Sequence, residues 1–359
     1  MHSPSSFRLL ATVLLALAMG ASPFAASDDS DGIPSFYDSA GWLNSRPLSP
    51  RDLEGKVVLV DFWEYTCVNC LRTLPYLRTW YERYHDKGLV IVGVHTPEYA
   101  FTHEEKNVSE AVRHLDIRWP VVLDSQWLIW KRYNAQSWPT EYLFDGSGQL
   151  VDKVSGEGGY EQTEAKIQAL LRAQNPKLTF PPVMALLPQD NYTKPGAVCY
   201  VQTPEVLVEH AQIGDAAKGA DRRRDQTYTD AAAPHEDGVP YLQGAWRMTD
   251  ESAVSTGVPA YFAMRYHAIQ VVGVLAPPKG VPLRVDVTQD GAPLAKTDAG
   301  DDVRYDSAGM SYVTVDSARA YDLVMNAKMA AHELRLTPQA AGMSVYSFAF
   351  ESCEATTKS

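Results

Sequence analysis

KVVLVDFWEYTCVNCLRTLPYL, residues 56–77, decides the fold of the N-terminal half of the chain. Its first eight residues, 56–63, are an apolar, β-branched run after Gly55, which is typical of a buried strand. From Asn69 to Asp86, apolar and aromatic residues recur every three or four positions, which predicts a helix. The predicted strand therefore leads directly into a helix, with Cys67-Val68-Asn69-Cys70 at the junction.

The sequence around this stretch continues to alternate between strand and helix patterns. A hairpin signal, Asp145-Gly146-Ser147-Gly148, precedes the last predicted helix. This order predicts an α/β domain over residues 27–173. The other predicted strands are Leu89–Val94, Pro120–Leu123, Tyr142–Phe144 and Leu150–Val154, and the other predicted helices are Val108–Leu115, Gln126–Tyr133 and Glu161–Leu171.

The second half of the chain has a different pattern. Residues 174–196 contain five prolines and no sustained period, which predicts a linker. Beyond it, short β-rich runs separated by turn residues predict an all-β, jelly-roll-like sandwich domain over 197–359. The predicted strands include Ala260–Tyr266, Ile269–Leu275, Leu283–Gln289, Ser311–Val315, Ala320–Met325, His332–Thr337 and Ser344–Phe350.

The N-terminus has the layout of a secretory signal peptide, which we predict over residues 1–26. An apolar run of 11 residues, Leu9–Met19, follows a short basic start and precedes small residues. Such a run is shorter than the roughly 20 residues that a membrane-spanning helix needs, although an uncleaved anchor is the alternative. Cleavage would leave an exported, periplasmic protein in an oxidising compartment, where disulfides persist.

Composition narrows the function classes. The chain has 32 basic and 44 acidic residues, a net charge of −12. Nucleic-acid binding is not expected, because a net-negative chain lacks the basic surface that phosphate backbones require. Only 4 cysteines occur in 359 residues, so disulfides cannot be the main scaffold.

The Cys-x-x-Cys motif at the start of a helix predicts redox chemistry. The N-terminus of the helix favours the thiolate of Cys67 and so makes it a nucleophile. Cys70, one turn further on, would resolve the mixed disulfide. Half of a zinc site is the alternative, but it needs two further ligands, and no second Cys-x-x-Cys or His-x₃-His occurs. We therefore predict no metal and no cofactor other than the Cys67–Cys70 disulfide.

Residues 40–172 resemble the thioredoxin superfamily, and more narrowly the exported DipZ-type and TlpA-type thiol–disulfide oxidoreductases. Two departures stand out, namely Glu64 where a small or hydroxyl residue is expected and Val-Asn between the cysteines. The matching segments are GWLNSRPL (41–48), KVVLVDFWEYTCVNCLRTLPYL (56–77), GVHTPEYAF (93–101), WPVVLD (119–124), SWPTEYLFD (137–145) and GEGGY (156–160).

The resemblance implies roles for other residues. Pro139 would be the cis-proline facing the disulfide, and its loop, with Trp138 and Thr140, would pair with a substrate strand. Asp61 would be the buried acid that moves the proton of Cys70, or else a structural carboxylate. Trp63 would pack beside the disulfide and contact substrate, or else serve as a core aromatic residue.

Two glutamates of this domain are further candidates for the site. Glu64 and Glu157 are candidates for a second acid near the cysteines, although lone surface glutamates are common.

Peroxiredoxins resemble this fold but have Pro-x₃-Thr-x₂-Cys before the reactive cysteine. Val60 and Glu64 occupy those proline and threonine positions here, which disfavours a peroxidase.

The β-rich region contains, in order, the segments TPEVL (203–207), LQGAW (242–246), MRYHA (264–268), VDVTQDG (285–291), GDDV (300–303), ARAYDLV (318–324) and HELRLTP (332–338). With these segments it resembles the C-terminal domain of DipZ-type proteins, whose shape is similar to carbohydrate-binding modules. A glycan is therefore one candidate ligand, with aromatic side chains in a sandwich being core residues as the alternative. Cys199 and Cys353 bracket the domain, which predicts a structural disulfide, unless both are free and relay electrons. The candidate ligand residues are Trp246, Tyr241, Tyr261 and His267.

Together these features predict an exported thiol–disulfide oxidoreductase that acts as a reductase. The resemblance implies substrate proteins with disulfides or thiols, and an apocytochrome in cytochrome c biogenesis, a misoxidised exported protein or a small thiol would all need the same residues. It also implies a membrane thiol carrier of the CcdA or DsbD kind that reduces Cys67–Cys70. The alternative from another class is a glycan- or protein-binding module of the cell envelope that uses the C-terminal sandwich.

Overall fold

The computed structural model describes residues 32–187, 190, 198–214, 223–231 and 234–354. The predicted signal peptide, 1–26, lies outside the described residues, as does the end of the predicted linker apart from Asp190. In the described part of the chain, no helix is long and apolar enough to cross a membrane.

The N-terminal half is an α/β domain built on a six-stranded sheet of order β1-β4-β3-β2-β5-β6. Strands β2, β3 and β4 are parallel, whereas β1, β5 and β6 pair in antiparallel fashion at the two sides. The strands are β1 Gly41–Leu43, β2 Val57–Trp63, β3 Leu89–His95, β4 Val121–Leu123, β5 Thr140–Phe144 and β6 Leu150–Ser155. The helices are α1 Pro50–Leu53, α2 Val68–Tyr84, α3 Glu105–His114, α4 Leu128–Arg132 and α5 Tyr160–Gln174.

Strand β2 is the centre of this domain, and every one of its residues is buried. Since successive side chains point to opposite faces of a sheet, Leu59 and Trp63 pack on the face covered by α2, α3 and α5. Val60 and Phe62 pack on the other face, against α4 and residues before β1. Burial on both faces explains the continuous apolar run in the sequence.

The proline-rich segment after α5 is not a free linker, and the prediction is corrected for its described part. Side chains of this segment pack against the core of the α/β domain, among them Phe180 and Leu187. The segment also finds hydrogen-bond partners on the helices, because the N–H of Met184 donates to Glu164 at 2.7 Å and that of Leu187 to Tyr76 at 2.9 Å. An extended segment cannot pair its own backbone N–H groups, and the side chains of Glu164 and Tyr76 accept hydrogen bonds from two of them.

The C-terminal half is all-β, which confirms the predicted order of an α/β domain followed by an all-β domain. Eleven of its described strands form one hydrogen-bonded sheet. They are β8 Val206–Leu207, β9 Gln226–Tyr228, β10 Pro240–Met248, β11 Ala253–Ser255, β12 Tyr261–Ala276, β13 Leu283–Gln289, β14 Ala292–Pro293, β15 Arg304–Tyr305, β16 Ser311–Val315, β17 Arg319–Pro338 and β18 Ser344–Glu351.

Two long strands replace four of the short strands that the sequence predicts. Ala260–Tyr266 and Ile269–Leu275 belong to β12, while Ala320–Met325 and His332–Thr337 belong to β17. A register shift in β12 between Ala268 and Gln270 marks a bulge, which lets a continuous strand bend. The first part of β12 pairs with β10 and the second with β18, so this strand joins two parts of the sheet.

One hydrophobic core holds the β domain together. It includes Trp246, Phe262, Val285, Leu334 and Phe348, which come from strands along the whole sheet. Because strands far apart in the sheet contact one core, the sheet must curve around it.

The ends of the β domain are joined by a disulfide between Cys199 and Cys353, which lie directly opposite each other in a two-stranded sheet. This small sheet consists of β7, Val198–Cys199, and β19, Cys353–Glu354. The bond closes a loop with a sequence separation of 154 residues.

Replacing both cysteines, Cys199→Ala with Cys353→Ala, should lower the unfolding free energy by about 2–4 kcal/mol, because the unfolded chain loses a long-range constraint. Urea unfolding followed by circular dichroism measures this loss. In the presence of a reductant that opens the bond, wild type and variant should unfold at the same urea concentration. An unchanged midpoint under oxidising conditions would contradict a stabilising role.

Candidate active site

The Cys67–Cys70 disulfide lies where β2 leads into α2. Cys67 is the N-cap residue of α2, and its Sγ accepts a hydrogen bond from the N–H of Cys70 at 3.2 Å. Cys67 is half-buried, whereas Cys70 is 1% exposed. Unpaired N–H groups and the helix dipole favour a thiolate at this position. The arrangement therefore suits an accessible nucleophile on Cys67 and a shielded second thiol on Cys70.

The loop before β5 contains a cis peptide bond between Trp138 and Pro139. Pro139 and Thr140 are both buried, and the hydroxyl of Thr140 donates to the carbonyl of Ser137 at 2.7 Å. The carbonyl of Pro139 accepts from the N–H of Gly156 at 2.8 Å. Of the four residues predicted to bind substrate, Trp138 lines the cleft beside Cys67.

Trp63 and Thr140 do not take the predicted position at the cleft. Trp63 is 1% exposed and belongs to the same core cluster as Cys70. Thr140 is fully buried, with its hydroxyl directed to its own loop. For these two residues the structure favours support of the site from within the core, because neither side chain is accessible to a substrate.

Asp61 is buried on β2, and its position on the strand places it on the same face as Leu59 and Trp63. That face also packs against Cys70. Burial raises the pKa of Asp61 to about 7, and its Oδ1 has no hydrogen-bond partner among the described residues. A carboxyl group that titrates near neutral pH can accept or return a proton.

Glu141 on β5 is a second buried acid that the sequence analysis missed. It is directly opposite Asp61 in the antiparallel β2–β5 pair, and cross-strand neighbours have Cβ atoms about 5 Å apart. Burial, reinforced by the charge of Asp61, raises the pKa of Glu141 well above its ordinary value. The sequence signal was a carboxylate inside the apolar run Thr140–Phe144.

Glu64 is fully buried, so the interpretation as a surface glutamate is wrong. Its Oε2 accepts from the N–H of Thr66 at 2.6 Å and also from the Thr66 hydroxyl. Its Oε1 lies 3.6 Å from Nε2 of His95, the last residue of β3. The backbone carbonyl of Glu64 accepts from the N–H of Cys67 at 3.3 Å, and this bond together with the bonds from Thr66 to the carboxylate fixes the turn before the first cysteine.

Glu157 does lie near the cysteines, and it takes part in a charged cluster centred on Arg72. Nη1 of Arg72 is 3.3 Å from Glu157 and 2.7 Å from Glu351 of β18. Nη2 donates to Oε1 of Gln270 on β12 at 2.7 Å. Arg72 follows Cys70 by two residues on α2, so this cluster links the start of α2 to the β domain.

Apolar contacts reinforce the link between the two domains. Val68, inside the Cys-x-x-Cys motif, and Leu71 pack against a cluster that contains Val272 and Val274 of β12. The hydroxyl of Tyr99 donates to Ser347 of β18 at 2.9 Å. The β domain is therefore a direct neighbour of the cysteine pair.

The predicted ligand residues of the β domain do not form one aromatic surface. Trp246 is fully buried and its Nε1 donates to the carbonyl of Gln243 at 2.9 Å, so it is a core residue. Tyr241 is buried and stacks on His235 with ring centroids 3.9 Å apart. Tyr261 donates to Asp230 at 2.8 Å, and Nδ1 of His267 is 2.6 Å from Asp237.

Within the ranges that the structure describes, no group of three or more His, Cys, Asp and Glu side chains is arranged to hold a metal ion. A mixed parallel and antiparallel sheet flanked by helices, with a Cys-x-x-Cys disulfide at a helix N-terminus and a cis-proline in the loop before β5, defines a thioredoxin-like protein.

Comparisons with known proteins agree with this class. Residues 34–153 match the AhpC/TSA family, and residues 203–350 match the family described as "Thioredoxin like C-terminal domain". The thiol-disulfide oxidoreductase ResA of Bacillus cereus is 31% identical over 128 residues, which are 36% of this chain and 71% of ResA. The chain belongs to the thioredoxin-like family of thiol–disulfide oxidoreductases.

A longer match joins the two domains. Protein DipZ of Mycobacterium tuberculosis is 30% identical over 320 residues, or 88% of this chain. The chain spans 42% of the length of DipZ. The crystal structure of a putative thiol:disulfide interchange protein DsbE from Chlorobium tepidum is 21% identical with a TM-score of 0.35, covering 39% of this chain and 97% of that chain.

Asp61→Asn should change how stability depends on pH. The folded-state pKa of about 7 lies above the ordinary value of 3.8, so the contribution of Asp61 to wild-type stability is complete below about pH 4 and is lost as pH rises through 7. The difference in unfolding free energy, variant minus wild type, should therefore rise by on the order of 3–4 kcal/mol between pH 4 and 8.

Urea unfolding at a series of pH values measures this gain. Asp301→Asn is the matched control, since it removes a carboxylate that is exposed on the β domain. A difference between Asp61→Asn and wild type that stays constant across this pH range would show that Asp61 does not titrate there.

Proposed function

We propose that this protein is a thiol–disulfide oxidoreductase whose reactive pair is Cys67 and Cys70. One observation carries the proposal, namely that the half-buried Cys67 caps α2 and opens on a cleft while its disulfide partner Cys70 is buried. This asymmetry suits a reaction in which the first sulfur meets the substrate and the second reacts only within the protein.

The reductive direction runs in two exchanges. The Cys67 thiolate attacks one sulfur of a substrate disulfide, which forms a mixed disulfide and releases the other substrate sulfur as a thiolate. The Cys70 thiolate then attacks Cys67, which forms the intramolecular disulfide and releases the second substrate sulfur. Two electrons have passed to the substrate, and the protein is left oxidised.

Asp61 is proposed to take the proton of Cys70 before the second exchange. It lies on the face of β2 that packs against Cys70, and its raised pKa lets it accept a proton near neutral pH. Glu141 lies directly opposite Asp61 on β5, so a second carboxyl group is close to the site of this proton transfer. After the second exchange, the released substrate thiolates take up protons and become thiols.

We propose further that the protein works outside the cytoplasm as a reductase of disulfide-bearing proteins. The predicted signal peptide supports export, and the Cys199–Cys353 disulfide fits an oxidising compartment. A dithiol there stays reduced only if two electrons are supplied, so a membrane thiol carrier of the CcdA or DsbD kind is the proposed donor. The identity of its substrates is proposed only as disulfide- or thiol-bearing polypeptides.

A peroxidase is not proposed, although residues 34–153 match the AhpC/TSA family. The position that holds a threonine three residues before a peroxidatic cysteine is occupied by Glu64. That side chain is a buried carboxylate that accepts hydrogen bonds from Thr66, so it cannot present a hydroxyl group to a peroxide.

Single substitutions of the two cysteines should separate the two exchanges. Cys67→Ser should abolish the reduction of insulin disulfides, because the nucleophile is missing. Cys70→Ser should also stop turnover but accumulate a mixed disulfide, since nothing resolves it. Turbidity measures insulin reduction, and mass spectrometry of the non-reduced protein detects the adduct.

The double variant Cys199→Ala with Cys353→Ala is the matched control, because it removes the other disulfide. It should keep the wild-type rate as long as it remains folded. Full activity of Cys67→Ser, or an adduct on Cys199 in place of Cys67, would contradict the proposed pair.

The direction of the reaction is tested by the reduction potential of the purified full chain in a dithiol buffer, with the thiols counted by mass at each step. A reductase requires a value of roughly −200 to −270 mV, the range of glutaredoxins and thioredoxin. A value near about −120 mV would instead identify a disulfide donor, because such a pair gives its disulfide away.

A further inference from the structure

A cleft of about 320 Å³ lies beside Cys67 and is formed by both domains. Thioredoxin-like residues, including Thr66, Cys67 and Trp138, make one wall. The opposite wall comes from the β domain and consists of side chains from β12 and β18. These side chains are Val272, Val274, Ser347, Ala349, Phe350 and Glu351. A substrate that reaches Cys67 therefore contacts the β domain as well.

The lining of this cleft is acidic. Glu98, Glu157, Glu205 and Glu351 line it, against one basic side chain among the described residues, Arg72. Arg72 forms ion pairs with Glu157 and Glu351. For Glu98 and Glu205 the described part of the chain supplies no ion pair with a cationic side chain, so nothing within it balances their charge when they ionise.

Of the four glutamates that line the cleft, Glu98 is the one whose ionised form a counterion would stabilise most. Burial is the main cause that raises its pKa to about 8, and the negative charges of Glu64 and Glu205 add to it. A positively charged group in the cleft would favour the ionised form of Glu98 and would be attracted by it. The reactive Cys67 in the same cleft independently requires that a ligand enter, because its exchange chemistry forms a bond to a second sulfur.

A larger groove of about 1270 Å³ continues along the boundary between the domains and shares Val68, Arg72, Val272 and Glu351 with the cleft. It is also predominantly acidic, although Arg319 and Lys328 lie in it. Its carboxylates besides Glu351 are Glu110, Asp190, Asp301, Asp302, Asp316 and Asp322. The groove gives room for several residues of an extended chain, which favours a polypeptide over a small thiol.

We propose that this cleft is a substrate site shared by the two domains, which selects an extended polypeptide segment with lysine or arginine beside its reactive cysteine. The proposal rests on the proposed function. Cys67 forms the mixed disulfide with the substrate cysteine, and the former partner sulfur leaves as a thiolate. Basic side chains beside that cysteine contact Glu98 and Glu205, which steers the segment into the cleft.

Three synthetic peptides test the proposal, each with one cysteine held in a mixed disulfide with 2-mercaptoethanol. The cysteine is flanked by two lysines, two serines or two glutamates. The full chain is first reduced, and the second-order rate of peptide-thiol release is measured by mass. Each rate is divided by the rate with dithiothreitol, so that the intrinsic reactivity of the peptide disulfide cancels.

At about pH 9, where Glu98 with its pKa of about 8 is ionised and lysine is still charged, the lysine peptide should react on the order of 10-fold faster than the glutamate peptide at low salt, with the serine peptide between them. The ratio should approach one in 0.5 M NaCl, because salt screens these charges. Glu98→Gln with Glu205→Gln should lower the ratio several-fold. Glu54→Gln, which removes an exposed carboxylate from outside the cleft, should leave it unchanged.

Equal corrected rates for the three peptides in wild type would overturn the charge selection and leave the oxidoreductase proposal standing. Failure of the reduced protein to act on every peptide, while dithiothreitol reduces them all, would overturn both. The wild-type ratio and its salt dependence need no variant, so the test holds even if the double variant does not fold.

Discussion

Burial of β2 on both of its faces is the constraint on which the site depends. Leu59 and Trp63 are packed under α2, while Val60 and Phe62 are packed on the α4 side, so the strand cannot shift or rotate. Its last residue is only five positions before the start of α2. Cys67 is therefore held at the N-cap of the helix, where helix N–H groups act on its sulfur.

The β domain adds a second constraint, because it packs directly against the start of α2. Val68 packs against Val272 and Val274, and Arg72 reaches Glu351 and Gln270. A partly buried arginine with several acceptors fixes geometry well, because its planar donors need partners in set directions. This contact turns the open surface beside a thioredoxin-like disulfide into a cleft with two walls.

Charge is distributed unevenly around the cysteine pair. Asp61 and Glu141 are buried below it on neighbouring strands, and Glu64 is buried beside it with His95. Uncompensated carboxylates in a core are costly unless they are protonated, which explains why burial raises the pKa values of Asp61 and Glu141. Asp61 and Glu141 are enclosed by the core, whereas Glu98 and Glu205 line the cleft.

The sequence by itself determined the α/β unit, the position of the Cys-x-x-Cys motif on it, and the all-β character of the second half. These features depend on local periodicity and on residue types that act over a few positions. Only the tertiary structure decided that the proline-rich segment packs on α2 and α5, that four short strands join into β12 and β17, and that Asp61 faces Glu141. It also decided that Arg72 meets Glu351, 279 residues further along the chain. Such pairings depend on which surfaces come together on folding, and no short-range pattern encodes them.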